Sequence, residues 1–216
     1  MIDFGIISSS NNQGSIFACG LLLPEDQENH AITICHEITK NNPGKVKFSL
    51  NKATHPPYVR LYETILPSAK AQIATKRMED LTNKMSSFRM DWAEIEQTEN
   101  FVAIWGKINR SLKLFHKAVL LEINPLREGY FKEKYIEDRV EHRFTAAEEE
   151  SFKKWGSPWA EPYIPHMIIA KAKLTFDISK FVPEWGFQHC LFRGLLVGIR
   201  SERGDFIHSF QFNFAK

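Results

Sequence analysis

Cysteine is scarce in this chain of 216 residues: Cys19, Cys35 and Cys190 stand far apart and are odd in number. They have neither the paired spacing of a zinc site nor the density of a disulfide scaffold. Their simplest use is as small buried apolar residues, and their simplest location a reducing cytoplasm. An excess of one charge is also missing. Lys and Arg number 28 against 26 Asp and Glu, a formal net charge of +2, so no global field draws the chain to nucleic acid or to a membrane surface, and any basic site must be local. Long hydrophobic runs are absent too: the longest, such as residues 16–23, fall far short of the roughly 20 residues that span a bilayer, so no membrane partner is expected. The first ten residues lack a basic stretch followed by a long apolar core and do not read as a signal peptide. His30, His36, His116, His142, His189 and His208 show no metal-ligand spacing, and neither a metal nor a cofactor is expected.

With 43% hydrophobic residues, the chain can build one large domain or two fused lobes, each with an apolar core. Residues 16–23 read as a buried strand stopped by Pro24. Residues 25–41 carry Ala31, Ile34, Cys35 and Ile38 at helical spacing and end at Asn41-Asn42-Pro43-Gly44. A short strand is expected at 46–50 and another at 58–66. Pro67-Ser68 then opens a helix over 69–85 with Ser68 as N-cap. Residues 88–96 and 101–108 flank a polar turn and read as a hairpin. Asn109 caps a helix whose Leu112, Phe115, His116, Val119, Leu120 and Ile123 form one apolar face. Residues 127–143 mix charges of both signs with Tyr130, Phe131, Tyr135 and Ile136, the pattern of a solvated linker or a lid, with the linker favoured. Thr145 to Glu148 is a capping box that starts a short helix through Trp155. After Asp177 a short turn or helix reaches Pro183, and residues 187–199 with 206–214 make a final hairpin.

Two phrases repeat one device. Thr54-His55-Pro56-Pro57-Tyr58-Val59-Arg60-Leu61-Tyr62-Glu63 and Tyr163-Ile164-Pro165-His166-Met167-Ile168-Ile169-Ala170-Lys171 each set proline directly before an alternating run, which is how a rigid turn enters a strand. Strict period-2 alternation puts Tyr58, Arg60 and Tyr62 on one face and Val59 and Leu61 on the other; it groups His166 with Ile168 and Ala170, opposite Met167, Ile169 and Lys171. Such a repeat suggests two half-domains whose equivalent strands face a common cleft.

These phrases, with Leu21-Leu22-Leu23-Pro24-Glu25, Asn124-Pro125-Leu126-Arg127 and the run from Thr145 through Gly156-Ser157-Pro158-Trp159, resemble in order and spacing the two-histidine phosphoesterase superfamily, specifically its bacterial 2′-5′ RNA ligase-like branch. The likeness spans roughly residues 16–214. It implies an α+β fold forming a single bilobal domain over 1–216, with the connection near 127–144. Two pseudo-symmetric lobes of antiparallel sheet face a cleft and carry helices outside. Each lobe of the family contributes a His-x-Thr/Ser strand; one imidazole acts as base, the other protonates the leaving oxygen, and the hydroxyls hold the phosphate.

The departures reshape the functional expectation. Tyr58 stands where the first histidine belongs and Arg60 where its hydroxyl belongs; His166 is kept, and Ile168 replaces the second hydroxyl. Tyrosine, with a reference pKa near 10, donates a hydrogen bond but is a poor base at neutral pH, and losing one acid–base group typically costs about 10²- to 10⁴-fold in rate. Arg60 offers a permanent charge and a planar fork suited to phosphate. The resemblance therefore implies a degenerate site binding a nucleotide or RNA end, with Arg60, Tyr62 and Ile168 as contacts, His166 and Tyr58 as candidate catalytic groups, and little or no hydrolysis. Two alternatives are an active cyclic-nucleotide or 2′-5′ phosphodiesterase with altered acid–base groups, and a partner-binding module with a vestigial cleft closed by Tyr58 and Ile168. His55 lies three residues before Tyr58, an extended path of about 10 Å. It could replace the missing imidazole only from the mouth of the strand.

Overall fold

The computed structural model describes residues 14–47, 50–98, 101–132, 134–142, 144–171, 177–181 and 185–215. In chain order these form β1 (Ser15–Leu22), α1 (Glu25–Asn41), β2 (Tyr58–Leu66), α2 (Ala71–Thr82), β3 (Arg89–Gln97), β4 (Phe101–Lys107), α3 (Arg110–Ile123), α4 (Lys134–His142), α5 (Ala146–Trp155), β5 (His166–Lys171), β6 (His189–Leu191), β7 (Gly194–Arg200) and β8 (Phe206–Asn213). The strands make two four-stranded sheets, ordered β2-β1-β7-β8 and β5-β4-β3-β6, with antiparallel pairing throughout. This is the two-lobed α+β architecture that the resemblance implies.

Local chemistry explains the helices. Helix α1 opens with Glu25, Asp26 and Glu28 and carries Lys40 in its last turn, charges that complement the helix dipole at both ends. Its Ala31, Ile34, Cys35 and Ile38 are buried, and the helix packs beside β5. The Asn109 side chain accepts a 2.9 Å hydrogen bond from the Leu112 amide and so starts α3. Thr145 and Glu148 form the expected capping box of α5, and Gly156, at φ +67°, ends it in the left-handed conformation glycine tolerates.

Several expectations are corrected. Ser68 begins a 3-10 turn rather than capping α2, and its hydroxyl lies 3.3 Å from that of Ser15. At 46–50 the described residues show one bridge at Val46 instead of a strand; residues 48 and 49 lie outside the description. The segment 127–143 is no bare linker, since it contains α4 and buries Tyr135. The final hairpin is shorter than expected because the chain changes sheets at Phe192 and Arg193. The Phe192 amide donates to Phe88 on the β3 side, and the Arg193 amide donates to Leu22 at the end of β1. The expected turn after Asp177 is seen at Phe181, whose amide donates to Ile178; Pro183 lies outside the described residues.

The edge strands β2 and β5, one from each sheet, run close to one another. Both carry a bulge at the same place. Leu61 is an extra residue opposite the Cys19–Gly20 step of β1, and Ile169 is an extra residue opposite the Val102–Ala103 step of β4. A bulge shifts the alternation by one residue. Tyr58 and Arg60, then Glu63, line the cleft from β2, while His166 and Ile168, then Lys171, line it from β5. Leu61, Tyr62, Ile169 and Ala170 are buried.

Candidate functional site

The cleft has a volume of about 870 Å³ and is open to solvent. It is not the closed cavity that a vestigial site plugged by Tyr58 and Ile168 would leave. Its cationic lining residues are Lys47, Arg60, Lys132, Lys171, Arg200 and Arg203, against Glu63, Glu141, Glu148 and Glu202. The local excess is basic although the chain as a whole is nearly neutral, which concentrates attraction for anions in this concavity.

Tyr58 opens β2 behind the buried Pro56 and Pro57. Its ring meets Phe206 edge to face at 5.6 Å, against a small apolar cluster of Ala18, Leu22, Leu196 and Phe206. Gly20 on β1 makes room for it: a β-carbon there would lie 2.1 Å from Tyr58 Cδ2. Arg60 follows on the same face. Its backbone carbonyl accepts a 2.8 Å hydrogen bond from the Tyr163 hydroxyl, which ties β2 to the segment leading into β5. The buried Arg60 Nε has no hydrogen-bond partner, and among the described residues no carboxylate is in salt-bridge contact with this guanidinium.

Glu63, a cleft carboxylate on the same strand whose charge Arg60 feels, is already paired. Lys132 Nζ donates to one carboxylate oxygen and Arg200 Nη1 to the other. Burial alone would push the Glu63 carboxyl up; Lys132, Arg200 and Arg60 together outweigh it and hold it well below the usual carboxylate range. Arg200 also donates from Nε to the Gly204 carbonyl at 2.8 Å. Lys132 comes from the segment before α4, so its bond to Glu63 pins that segment across the cleft. Beside it Tyr135, Phe144, Thr145, Glu148 and Trp159 line the covering side. Trp159 is 53% exposed and packs edge to face on Tyr135 at 5.4 Å.

His166 starts β5. Its Nδ1 lies 2.9 Å from the Ile164 carbonyl oxygen, so in the neutral ring Nδ1–H donates there and Nε2 keeps the lone pair. The ring lies roughly parallel to Phe101 at 6.4 Å and is tilted against Trp105 at 5.2 Å. Burial, and next the charge of Arg60, lowers its pKa to about 4; the Ile164 carbonyl opposes them. The imidazole is therefore uncharged at neutral pH, and its Nε2 can accept a hydrogen bond.

Of the residues singled out in the sequence, Tyr58, Arg60, His166 and Ile168 line one cleft. Tyr62 does not. The bulge turns it to the opposite side, where it is 2% exposed and its hydroxyl donates to the Trp155 carbonyl. Sequence reasoning missed Glu63, Lys132, Lys171 and Arg200, and gave His55 only a remote place. His55 lines the same cleft, with Nδ1 2.9 Å from Asp205 Oδ1. The one sequence signal for Arg200 is its position directly before the Ser201-Glu202-Arg203-Gly204 turn. Lys132 carried none, because its partner lies 69 residues away. Among the described residues no group of three His, Cys, Asp or Glu could hold a metal ion, and no helix is long and apolar enough to cross a membrane.

No family model and no curated protein sequence matches the chain. Solved structures do. Escherichia coli LigT matches in complex with 3′-AMP, at 11% identity over 94% of this chain and 99% of that one with a TM-score of 0.49. The apo form matches at 12% identity over 93% and 99%, also with 0.49. TT0787 of Thermus thermophilus matches at 11% identity over 93% of this chain and all of that one, with a TM-score of 0.57. The chain thus shares with TT0787 the two-lobed fold seen here, over nearly its whole length.

Proposed function

We propose that this protein binds a phosphate-bearing ligand, a nucleotide or an RNA end, in the cleft between β2 and β5, with Arg60 as the principal phosphate contact and His166 beside it. The observation that carries this reading is Arg60 itself. A guanidinium that lines an open cleft and is in salt-bridge contact with no carboxylate among the described residues, Glu63 being bonded to Lys132 and Arg200, can turn its donors to a ligand. A fork of that kind matches phosphate oxygens two at a time. His166, uncharged, can accept from a ligand hydroxyl or water, and Trp159 offers an exposed ring on the covering side. Through the two motif strands alone hydrolysis should be slight or nil. Tyr58 rests on Phe206, and phenol is a poor base at neutral pH.

The test is calorimetric titration of the purified protein with a panel of nucleotides and short RNA ends carrying terminal phosphates. Saturable binding that weakens when Arg60 is replaced supports the reading. A folded protein that binds none of them overturns it.

A further inference from the structure

Of the charges gathered around Glu63, one arrives on a segment of its own. Arg60 and Glu63 lie on β2 and Arg200 ends β7, whereas Lys132 comes from the chain leading into α4. We propose that the segment from Gly129 through α4 is a strap, hinged at Glu128 and Gly129, which an anion held on Arg60 draws shut through Lys132. The proposal rests on the phosphate-binding reading above.

The hinge is marked in the backbone. Glu128 and Gly129 take φ values of +52° and +86°, and Glu128 is the only non-glycine residue with positive φ among the described residues. A side chain disfavours that conformation. A β-carbon built on Gly129 would meet nothing within 4 Å, so the glycine answers to the backbone and not to a lack of space. The turn itself is anchored to the body of the protein. Arg127 Nε donates to Asn124 Oδ1 at 3.1 Å, the Tyr130 amide donates to the Arg127 carbonyl at 2.9 Å, and Lys70 Nζ lies 2.9 Å from the Glu128 carboxylate.

Beyond the hinge the strap is held in two ways. Its rings rest on α5 and the turn after it: Phe131 meets Phe152 edge to face at 5.4 Å, and Tyr135, 6% exposed, meets Trp159 in the same manner at 5.4 Å. Across the cleft, Lys132 donates to Glu63. That ion pair is crowded. Burial lowers the Lys132 pKa, Glu63 raises it, and the charges of Arg60 and Arg200 lower it again. In the closed position the ammonium thus feels one carboxylate and two guanidiniums.

The sign of the coupling follows from that crowding. Closing the strap sets a third cation near Arg60 and Arg200, with Glu63 as the opposing charge. An anion on Arg60 offsets the repulsion that Lys132 meets there, at a place where the side chains of Lys132, Glu63 and Arg200 are mostly shielded from water and salt screens little. The anion therefore favours the closed strap. By reciprocity the closed strap holds the anion more tightly, by the same factor.

The experiment follows amide hydrogen exchange across α4 in the full chain, with and without excess inorganic phosphate at constant ionic strength, alongside calorimetric titration of phosphate and of the nucleotide panel. Phosphate is expected to slow exchange across α4 in the wild type. Lys132→Met removes the charge, keeps most of the side-chain length and leaves Glu63 bonded to Arg200. In that variant exchange should be faster without phosphate, the slowing by phosphate should be lost, and phosphate affinity should fall about tenfold. Gly129→Ala stands outside the cleft lining and disfavours the hinge conformation by about fivefold or more. It should likewise speed exchange across α4 and weaken phosphate binding, which a lysine acting only as a direct phosphate contact would not produce. Phosphate that binds without slowing α4 exchange overturns the proposal and leaves the binding reading intact. So does a folded Lys132→Met or Gly129→Ala with wild-type affinity and protection. A wild type that binds nucleotide but no phosphate overturns the strap alone, and one that binds neither removes both readings.

Discussion

Arg60 and Tyr62 are two residues apart on one strand, yet Arg60 lines the cleft and Tyr62 is buried on the other side, because Leu61 is an extra residue between them. The first prediction follows from that reversal. Tyr62→Phe should leave nucleotide binding unchanged while removing the donor to the Trp155 carbonyl. An unmet buried partner costs about 1 to 3 kcal/mol, so denaturant unfolding should show that loss while calorimetry shows no change in affinity.

Arg60 carries the opposite expectation. Charge-assisted hydrogen bonds are worth about 1.5 to 3 kcal/mol and neutral ones roughly 0.5 to 1.5. Arg60→Ala should therefore weaken nucleotide binding by about tenfold or more, and Tyr58→Phe by less. Titration at two salt concentrations should show the difference between wild type and Arg60→Ala shrinking at the higher one, where charge is screened. Arg60→Lys, which keeps the charge and loses the fork, should fall between the two.

Glu63 is the anion on which the cleft floor depends. Glu63→Leu would leave Lys132 and Arg200, with side chains only 20% and 13% exposed, without their counterion, and breaking a buried pair typically costs about 3 to 5 kcal/mol. Thermal unfolding should show a marked drop. Limited proteolysis should cut first between residues 127 and 144, the segment that Lys132 pins.

Acid should weaken the fold through His116. It is 3% exposed, stacks on Tyr163 at 3.9 Å, and has its pKa lowered to about 4, chiefly by burial. The unfolded chain titrates this group near 6.5, so between pH 6.5 and 4 the unfolded state binds more protons and stability falls as pH falls. The contribution is complete above pH 6.5 and gone below about 4, amounting to about 3 kcal/mol at about 1.36 kcal/mol per pKa unit. Urea unfolding across that window should show a slope that flattens in His116→Leu. Loss of the Glu63 carboxylate belongs to a lower window, because that group stays ionised well below the usual carboxylate range.

Much of the fold was legible because local signals decide it. The helix at Glu25–Asn41, the strand at Tyr58–Leu66 and the Thr145 capping box match the sequence reading in place and kind. The bulges at Leu61 and Ile169 were not legible, since alternation reads straight through an extra residue and the pairing that exposes it comes from distant strands. That single missing fact put Tyr62 in the site and kept Glu63 out of it. The same limit applies to Lys132 and Arg200, whose contacts with Glu63 span 69 and 137 residues. Helix α4 was hidden by alternating charge, and its neighbourhood is ordered by the burial of Tyr135 rather than by propensity.

The paired bulges have a further consequence for what the cleft can accept. They make β2 and β5 backbone copies, register for register, yet the side chains at the three matched cleft positions differ in kind: a phenol against an imidazole at Tyr58 and His166, a cation against an aliphatic chain at Arg60 and Ile168, an acid against a base at Glu63 and Lys171. A symmetric frame has been given a head and a tail. If the cleft binds a phosphate-bearing ligand as proposed, turning that ligand end for end would set its phosphate against Ile168 and its apolar part against Arg60, so binding should favour one orientation.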